Sequence, residues 1–343
     1  MPPPADLFFG RRALLAMGAA SLLGCVHRET ARADTPTKSG RVLGTSIAVV
    51  RRGKPDRIEI EGALSPESVL EVASLSKPVF AFAVVSEAVR GSIDLDAPLA
   101  RIAPPPYRHV RRGVVDAFDD PRLAQVTPRL LLSHRAGLPN WSRQAPLAFM
   151  DAPGATWRYS GEGYVLLQRA IEAGRGESLD AFARRTVLTP LGMTRSTFDP
   201  RIAAVRAEGH DPNGAVAPST VDAEVAATSL LSTAADYARF ARRLVEAPAG
   251  DAIVDTMLTR QVEVDPERRI AWGVGLALAE PEWFFHWGVN PGFRSLLVGS
   301  RKRGEAIVVL TDSDGGMNAA AEAVRKQFGD LRLLGFPMLW PPD

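Results

Sequence analysis

The order of strand-type and helix-type patterns constrains the fold of this chain more than any single motif does. Residues 41–62, "RVLGTSIAVVRRGKPDRIEIEG", carry two β-branched runs around the turn formers Arg52 to Pro55, a hairpin pattern. A helix is expected from near Ser74 to about Arg90, because Pro78 sits most easily in a first turn. From about 92 to 260 the pattern is helical segments broken by Pro/Gly loops. Thr127, Ser178 and Thr233 stand where a side-chain oxygen would cap a helix. "RIAPPPYRHVRR" and "DPNGAVAPSTVDAE" read as loops. After about 265 come short β-type runs, "IAWGVGLALAE", "EWFFHWGVN", "FRSLLVGSRKRG" and "EAIVVLTDSD", and "NAAAEAVRKQFGDLRLL" closes as an amphipathic helix. Strands at both ends with helices between them predict an α+β chain. Residues 41–91 and 265–335 would form a mixed α/β domain, with a mainly helical domain, 92–264, inserted between them.

The first 40 residues differ in kind. Arg11 and Arg12 precede an apolar run from Ala13 to Leu23 that suits a signal peptide and is short for a membrane span. The arginine pair partly matches twin-arginine signals, and Sec export stays open. Cys25, the one cysteine, ends "LLGC", which is similar to the lipobox of bacterial lipoproteins, where the cysteine is diacylated after cleavage. An ordinary signal peptide with a cysteine just beyond it is the alternative. Residues 1–25 are thus expected to be a signal peptide with a lipobox and 26–40 a flexible tether. The protein would be exported to the periplasm or cell envelope and held at a membrane only by its lipid. With 343 residues, a formal charge of +2 and no long block of one sign, nothing suggests a nucleic-acid partner.

Lysine is scarce, occurring at 38, 54, 77, 302 and 326, yet Lys77 lies in an apolar run three residues after Ser74. Positions three apart on a helix are neighbours, so the hydroxyl and the amine can meet. A serine hydroxyl attacks well only when a base takes its proton, and a lysine serves as that base only if burial or a neighbouring cation lowers its pKa. Arginine stays protonated and cannot do this. Ser-x-x-Lys also arises by chance, so its surroundings decide.

Those surroundings are "SLSK" after a hairpin, then "TPRLLLSHRAGLPNW", "YSGEGYVLLQ", "SLLSTAADYARFARRL" and "HWGVNPGFRS", in that order. Together, over residues 41–333, the chain resembles the serine β-lactamase-related family of class C β-lactamases, serine D,D-carboxypeptidases and β-lactamase-like esterases. The resemblance implies an antiparallel sheet flanked by helices plus the inserted helical domain. It implies that Ser74 is the acylated nucleophile, Lys77 its partner and Tyr159 the tyrosine of the Tyr-x-Asn motif, which relays the serine proton. "HWG" takes the place of Lys-Thr-Gly, so His286, Trp287 and Gly288 would line the substrate cleft, with His286 a partly charged anion binder. The oxyanion donors would be the N–H groups of Ser74 and Val289. Asn290, Phe293 and Arg294 follow the cleft strand within reach of substrate, Phe293 being equally well placed for the core.

Two positions depart from the family. Gly161 replaces its asparagine and Trp287 its threonine, which weighs against β-lactam hydrolysis. Trp287 either edges the cleft with an apolar surface or points into the core. His134 reads as a histidine that satisfies loop backbone, while His109 and His210 sit in loops without partners at metal-ligand spacing. No metal and no cofactor are expected. The expected activity is a serine hydrolase acting through an acyl-enzyme on an ester or amide carbonyl of a small-molecule or peptide substrate, of esterase or D-alanyl peptidase type. The alternatives are a β-lactamase and a non-catalytic cell-wall peptide binder. An α/β-hydrolase would need a Gly-x-Ser-x-Gly elbow, which the chain lacks.

Overall fold

A computed structural model describes residues 41–202, 206–279 and 281–335. The expected signal peptide, Cys25 and the tether lie outside the described residues. Among those described, no helix is long and apolar enough to cross a membrane.

The β-branched runs at the start form β1 (Gly44–Arg51) and β2 (Arg57–Gly62), joined at the expected turn. The C-terminal runs form β7 (Val262–Asp265), β8 (Ile270–Trp272), β9 (Ala277–Ala279), β10 (Trp283–Asn290), β11 (Phe293–Ser300) and β12 (Glu305–Thr311). All eight make one antiparallel sheet in the order β2-β1-β12-β11-β10-β9-β8-β7. Strand 12 closes against strand 1, with Thr45 opposite Thr311 and Val49 opposite Ile307. Side chains alternate between the faces of a strand. Ala48, Val50, Val308 and Leu310 therefore enter one core, and Val49, Ile307 and Val309 the other.

Helix α7 (Gly316–Phe328) covers the second face through Ala320, Ala321 and Val324. The first face packs on α1 (Ser76–Val89) and α5 (Ala234–Glu246). Helix α1 is buried from Ser76 through Glu87, which is why its sequence reads apolar on every side. Beyond it lie α2 (Pro128–Leu132), α3 (Gly161–Arg175), α4 (Leu179–Ala183) and α6 (Ala252–Leu258). Phe80 meets Tyr164 and Phe182 there, and Phe82 meets Phe240 edge-on. Thr127, Ser178 and Thr233 each accept an N–H of the helix that follows, as their positions foretold. Ser160 does the same for α3.

Three local expectations change. Residues Tyr107–Arg111, read as loop, form β4, paired with β5 (Val114–Phe118). The two-residue turn Arg112-Gly113 has positive φ at both positions (44° and 79°), a hairpin geometry that arginine seldom signals. Strand structure resumes at Val262, before the expected 265. Helix α5, placed in the inserted region by its position in the chain, lies on the sheet. Its amphipathic stripe of Tyr237, Phe240, Ala241 and Leu244 needed an apolar face to cover.

Candidate active site

The segment carrying Ser74 is a short strand, β3 (Leu70–Glu71), paired with β6 (Leu231–Ser232), followed by a 3-10 turn at Ala73–Leu75 that feeds α1. The helix thus starts two residues later than the pattern implied. Ala73 has φ +50°, a left-handed conformation that costs an alanine energy and persists only where the surroundings fix it. They do so from two sides. Val72 N–H donates to Leu230 O (3.1 Å), and the Ser76 hydroxyl donates to Ala73 O (2.6 Å) while accepting from Leu230 N–H (2.9 Å). The Tyr237 hydroxyl donates to Leu75 O (2.7 Å), and Ser295, from β11, donates to Val72 O (2.7 Å). Ser74 stays half-exposed within this buried frame.

Lys77, one turn on, is 1% exposed. Its Nζ lies 2.9 Å from Ser74 Oγ and 3.0 Å from Ala227 O. Burial lowers its pKa to about 7, so the amine is free to take a proton near neutrality. The chemical condition that the Ser-x-x-Lys spacing required is present in the geometry. Sequence position 227 gave no hint of its role, because a backbone carbonyl is supplied by any residue.

Tyr159, half-buried just before α3, lies under Lys77, with Nζ 4.8 Å from the ring centroid. It packs on His134 (4.4 Å between centroids) and stacks on Trp287 (5.7 Å, 24°). His134 fixes this segment by accepting the Ser160 N–H at Nδ1 (3.1 Å). Burial first, then the charges of Lys77 and His286, hold its pKa well below the usual histidine value, so the ring is neutral. The structural reading of His134 matches its surroundings.

The strand β10 carries corrections. His286 is fully buried, donates from Nδ1 to Trp287 O (2.8 Å), and has its pKa lowered to about 3, by burial first and then by Lys77. It is a neutral core group and offers no cation to an anionic substrate. Trp287, 4% exposed, takes the inward option and packs on Phe285 and Tyr159. At Gly288 the strand passes the Ser74 turn so closely that an added Cβ would lie 2.3 Å from Val72 O and 3.0 Å from Ala73 Cβ. Val289 follows, half-buried. Asn290 is buried, its Nδ2 donating to Glu71 Oε2 (2.6 Å). Phe293 is in the core, and Arg294 is held by Asp314 (2.8 Å) and the Asn290 and Phe293 carbonyls.

Gly161, where the family pattern has asparagine, has an ordinary φ; it is required by space. An added Cβ would lie 2.7 Å from Trp141 Cζ2 and 3.0 Å from Asn140 O. The loop bearing Trp141 is tied along the start of α3, with Gly161 and Glu162 N–H donating to Asn140 O (3.0 Å each) and Ser142 N–H to Glu162 Oε1 (2.8 Å). Where the family pattern has an amide, the chain next to Tyr159 is therefore packed against an indole. No local signal in the sequence joins residues 141 and 161.

His109 is not in a loop. It is buried on β4, 3.8 Å from Asp116 and 3.5 Å from Glu162, carboxylates that lie far from it in metal-motif spacing. His210 faces the Asp312 carbonyl (3.0 Å). Among the described residues no three His, Cys, Asp or Glu converge as a metal site.

The lovastatin esterase of Penicillium rubens is 28% identical over 204 residues, 49% of this chain and 50% of that protein. Esterase EstB of Burkholderia gladioli is 27% identical over 223 residues, 53% of each chain. The chain thus matches about half the length of these two relatives. A class C beta-lactamase structure superposes with a TM-score of 0.69 over 84% of this chain and 91% of that one, at 17% identity, which speaks for the fold. The sequence model of the beta-lactamase family matches residues 28–329, and with that span the chain belongs to the beta-lactamase family.

Proposed function

We propose that this protein is a serine hydrolase that forms an acyl-enzyme at Ser74 on an ester or amide carbonyl. The observation that carries this reading is the buried Lys77 amine, 2.9 Å from Ser74 Oγ with a pKa near 7. Neutral Lys77 takes the Ser74 proton as Oγ attacks, and the Ala227 carbonyl keeps the amine aimed. The Ser74 and Val289 N–H groups stabilise the tetrahedral oxyanion. The carbonyl's bond to the leaving group then breaks, and the proton held by Lys77, with Tyr159 beside it, passes to the departing oxygen or nitrogen. Water repeats the sequence on the acyl-serine, releasing a carboxylic acid and restoring the hydroxyl.

Esters lacking a carboxylate are favoured over D-alanyl peptides and β-lactams, which carry one. His286 is neutral and Arg294 is already paired, so neither offers a cation for that group. The indole of Trp141 beside Gly161, and the two esterases among the relatives, point the same way. We also propose export through residues 1–25 and lipidation at Cys25. Loss of labelling by a fatty-acid probe in Cys25→Ser would support the anchor, and retained labelling would refute it.

Intact-protein mass spectrometry after exposure to a fluorophosphonate, a penicillin and short-chain activated esters tests the activity, with Ser74→Ala as control. A Ser74-dependent fluorophosphonate adduct with ester turnover and no penicillin adduct is expected. A stable penicillin adduct would move the substrate to the cell wall. No adduct at all would leave a binding protein.

A further inference from the structure

We infer that Glu71 is a positioning residue that sets the distance between the two backbone donors of the oxyanion site. This rests on the hydrolase reading above. Glu71 lies three residues before Ser74, and its side chain is fully buried. A carboxylate is costly there unless every lone pair finds a partner. Oε1 accepts from the Arg206 guanidinium and from the Ser219 hydroxyl (2.8 Å), and Oε2 accepts from Asn290 Nδ2 (2.6 Å). One side chain thus joins three segments: the strand that leads into the nucleophile turn, the loop of residues 206–221, and the end of β10.

The two donors belong to different elements. The Ser74 N–H is in the 3-10 turn, whose bonds through Val72, Ser76 and Leu75 run to the segment around Leu230 and to α5. The Val289 N–H is on β10, next to Asn290. The Glu71–Asn290 bond spans the two directly, and Ser295 to Val72 O supports it from β11. Between Glu71 and Ser74 lies Ala73 with its φ of +50°, a conformation that relaxes if either side lets go. Relaxation would rotate the Ser74 N–H away from the oxyanion while leaving the ground-state contacts of a bound ester largely in place.

The test compares Glu71→Ala, Asn290→Ala, Glu71→Gln and Ser219→Ala in ester kcat and KM, in the rate of fluorophosphonate labelling, and in thermal midpoint. An error of about 1 Å in a reacting group can cost about 100-fold. Glu71→Ala and Asn290→Ala should each lower kcat and labelling by about that factor with KM little changed, and the double variant should be no worse than the worse single one. In Glu71→Gln the Asn290 amide can flip and bond the new amide, so activity should return to within about tenfold of wild type. Ser219→Ala cuts the same carboxylate on the side away from β10 and should leave kcat nearly intact. A fall of equal size in Ser219→Ala, or a raised KM with kcat preserved, would overturn the inference. Should Glu71→Ala fail to fold, Asn290→Ala and Glu71→Gln decide. A wild-type protein whose Ser74 takes no fluorophosphonate would instead remove the hydrolase reading on which the inference stands.

Discussion

At the scale of the residue, Lys77 illustrates how losing water turns a fixed charge into one that titrates near neutrality. Exposed, an amine near 10.5 would be protonated throughout the physiological range; buried beside Ser74 it has a pKa of about 7. Ester hydrolysis should therefore rise with pH through an apparent pKa near 7, that of Lys77, and then level off. Lys77→Arg keeps the charge and cannot give it up, so stopped assays across pH 5–9 should find at least a hundredfold loss and no such limb. Gly161 and Trp141 are the second case. Gly161→Asn forces a side chain into the indole, and overpacking of this kind costs about 1–3 kcal/mol, measurable in denaturant. Adding Trp141→Ala should return most of that loss, and strict additivity in the double variant would disprove the pairing. The Ser74/Lys77 pair was legible because two residues three apart on a turn have to meet. The Gly161/Trp141 pair was not, because a glycine announces space without saying what fills it.

At the scale of the element, helix starts follow from periodicity and caps, whereas a side chain's partners across a strand do not follow from its place on it. Thr127, Ser178 and Thr233 cap their helices because a short side-chain oxygen is competitive only at that place. His286 and Asn290 sit at the expected positions of β10, yet both side chains are committed to internal partners. Their partners, the Trp287 carbonyl and the Glu71 carboxylate, are set by the folded backbone and by a residue 219 positions away. Gly288 is tightly constrained, since an added methyl would lie 2.3 Å from both Ser295 Oγ and the Val72 carbonyl, part of the backbone that shapes the Ser74 turn. Gly288→Ala should cost about 3 kcal/mol and slow fluorophosphonate labelling of Ser74 together. Loss of stability with unchanged labelling of the folded fraction would show that the strand and the turn are independent.

For the whole molecule, the buried amine is also a load on folding. Between about pH 7 and 10.5 the unfolded chain binds the Lys77 proton more often than the folded one does, so stability should climb as pH rises through this window. Thermal midpoints at pH 7 and 9 should show the rise in wild type and a smaller one in Lys77→Met. The segregation of strands to both ends was enough to anticipate a sheet made from both. That α5 would cover it was hidden, because an amphipathic stripe does not say which surface it meets.

The closure of β12 between β1 and β11 has a consequence for synthesis. Strand β1 waits beside an empty place until β12 leaves the ribosome, since residues 45 and 311 face each other. Lacking that strand, the sheet is two fragments, and the β10 and β11 side of the Ser74 frame loses its hydrogen-bonded path to β1. A chain released before β12 would carry Ser74 and Lys77 without the completed sheet that frames them. On the hydrolase reading proposed above, activity would appear only after β12 has joined the sheet.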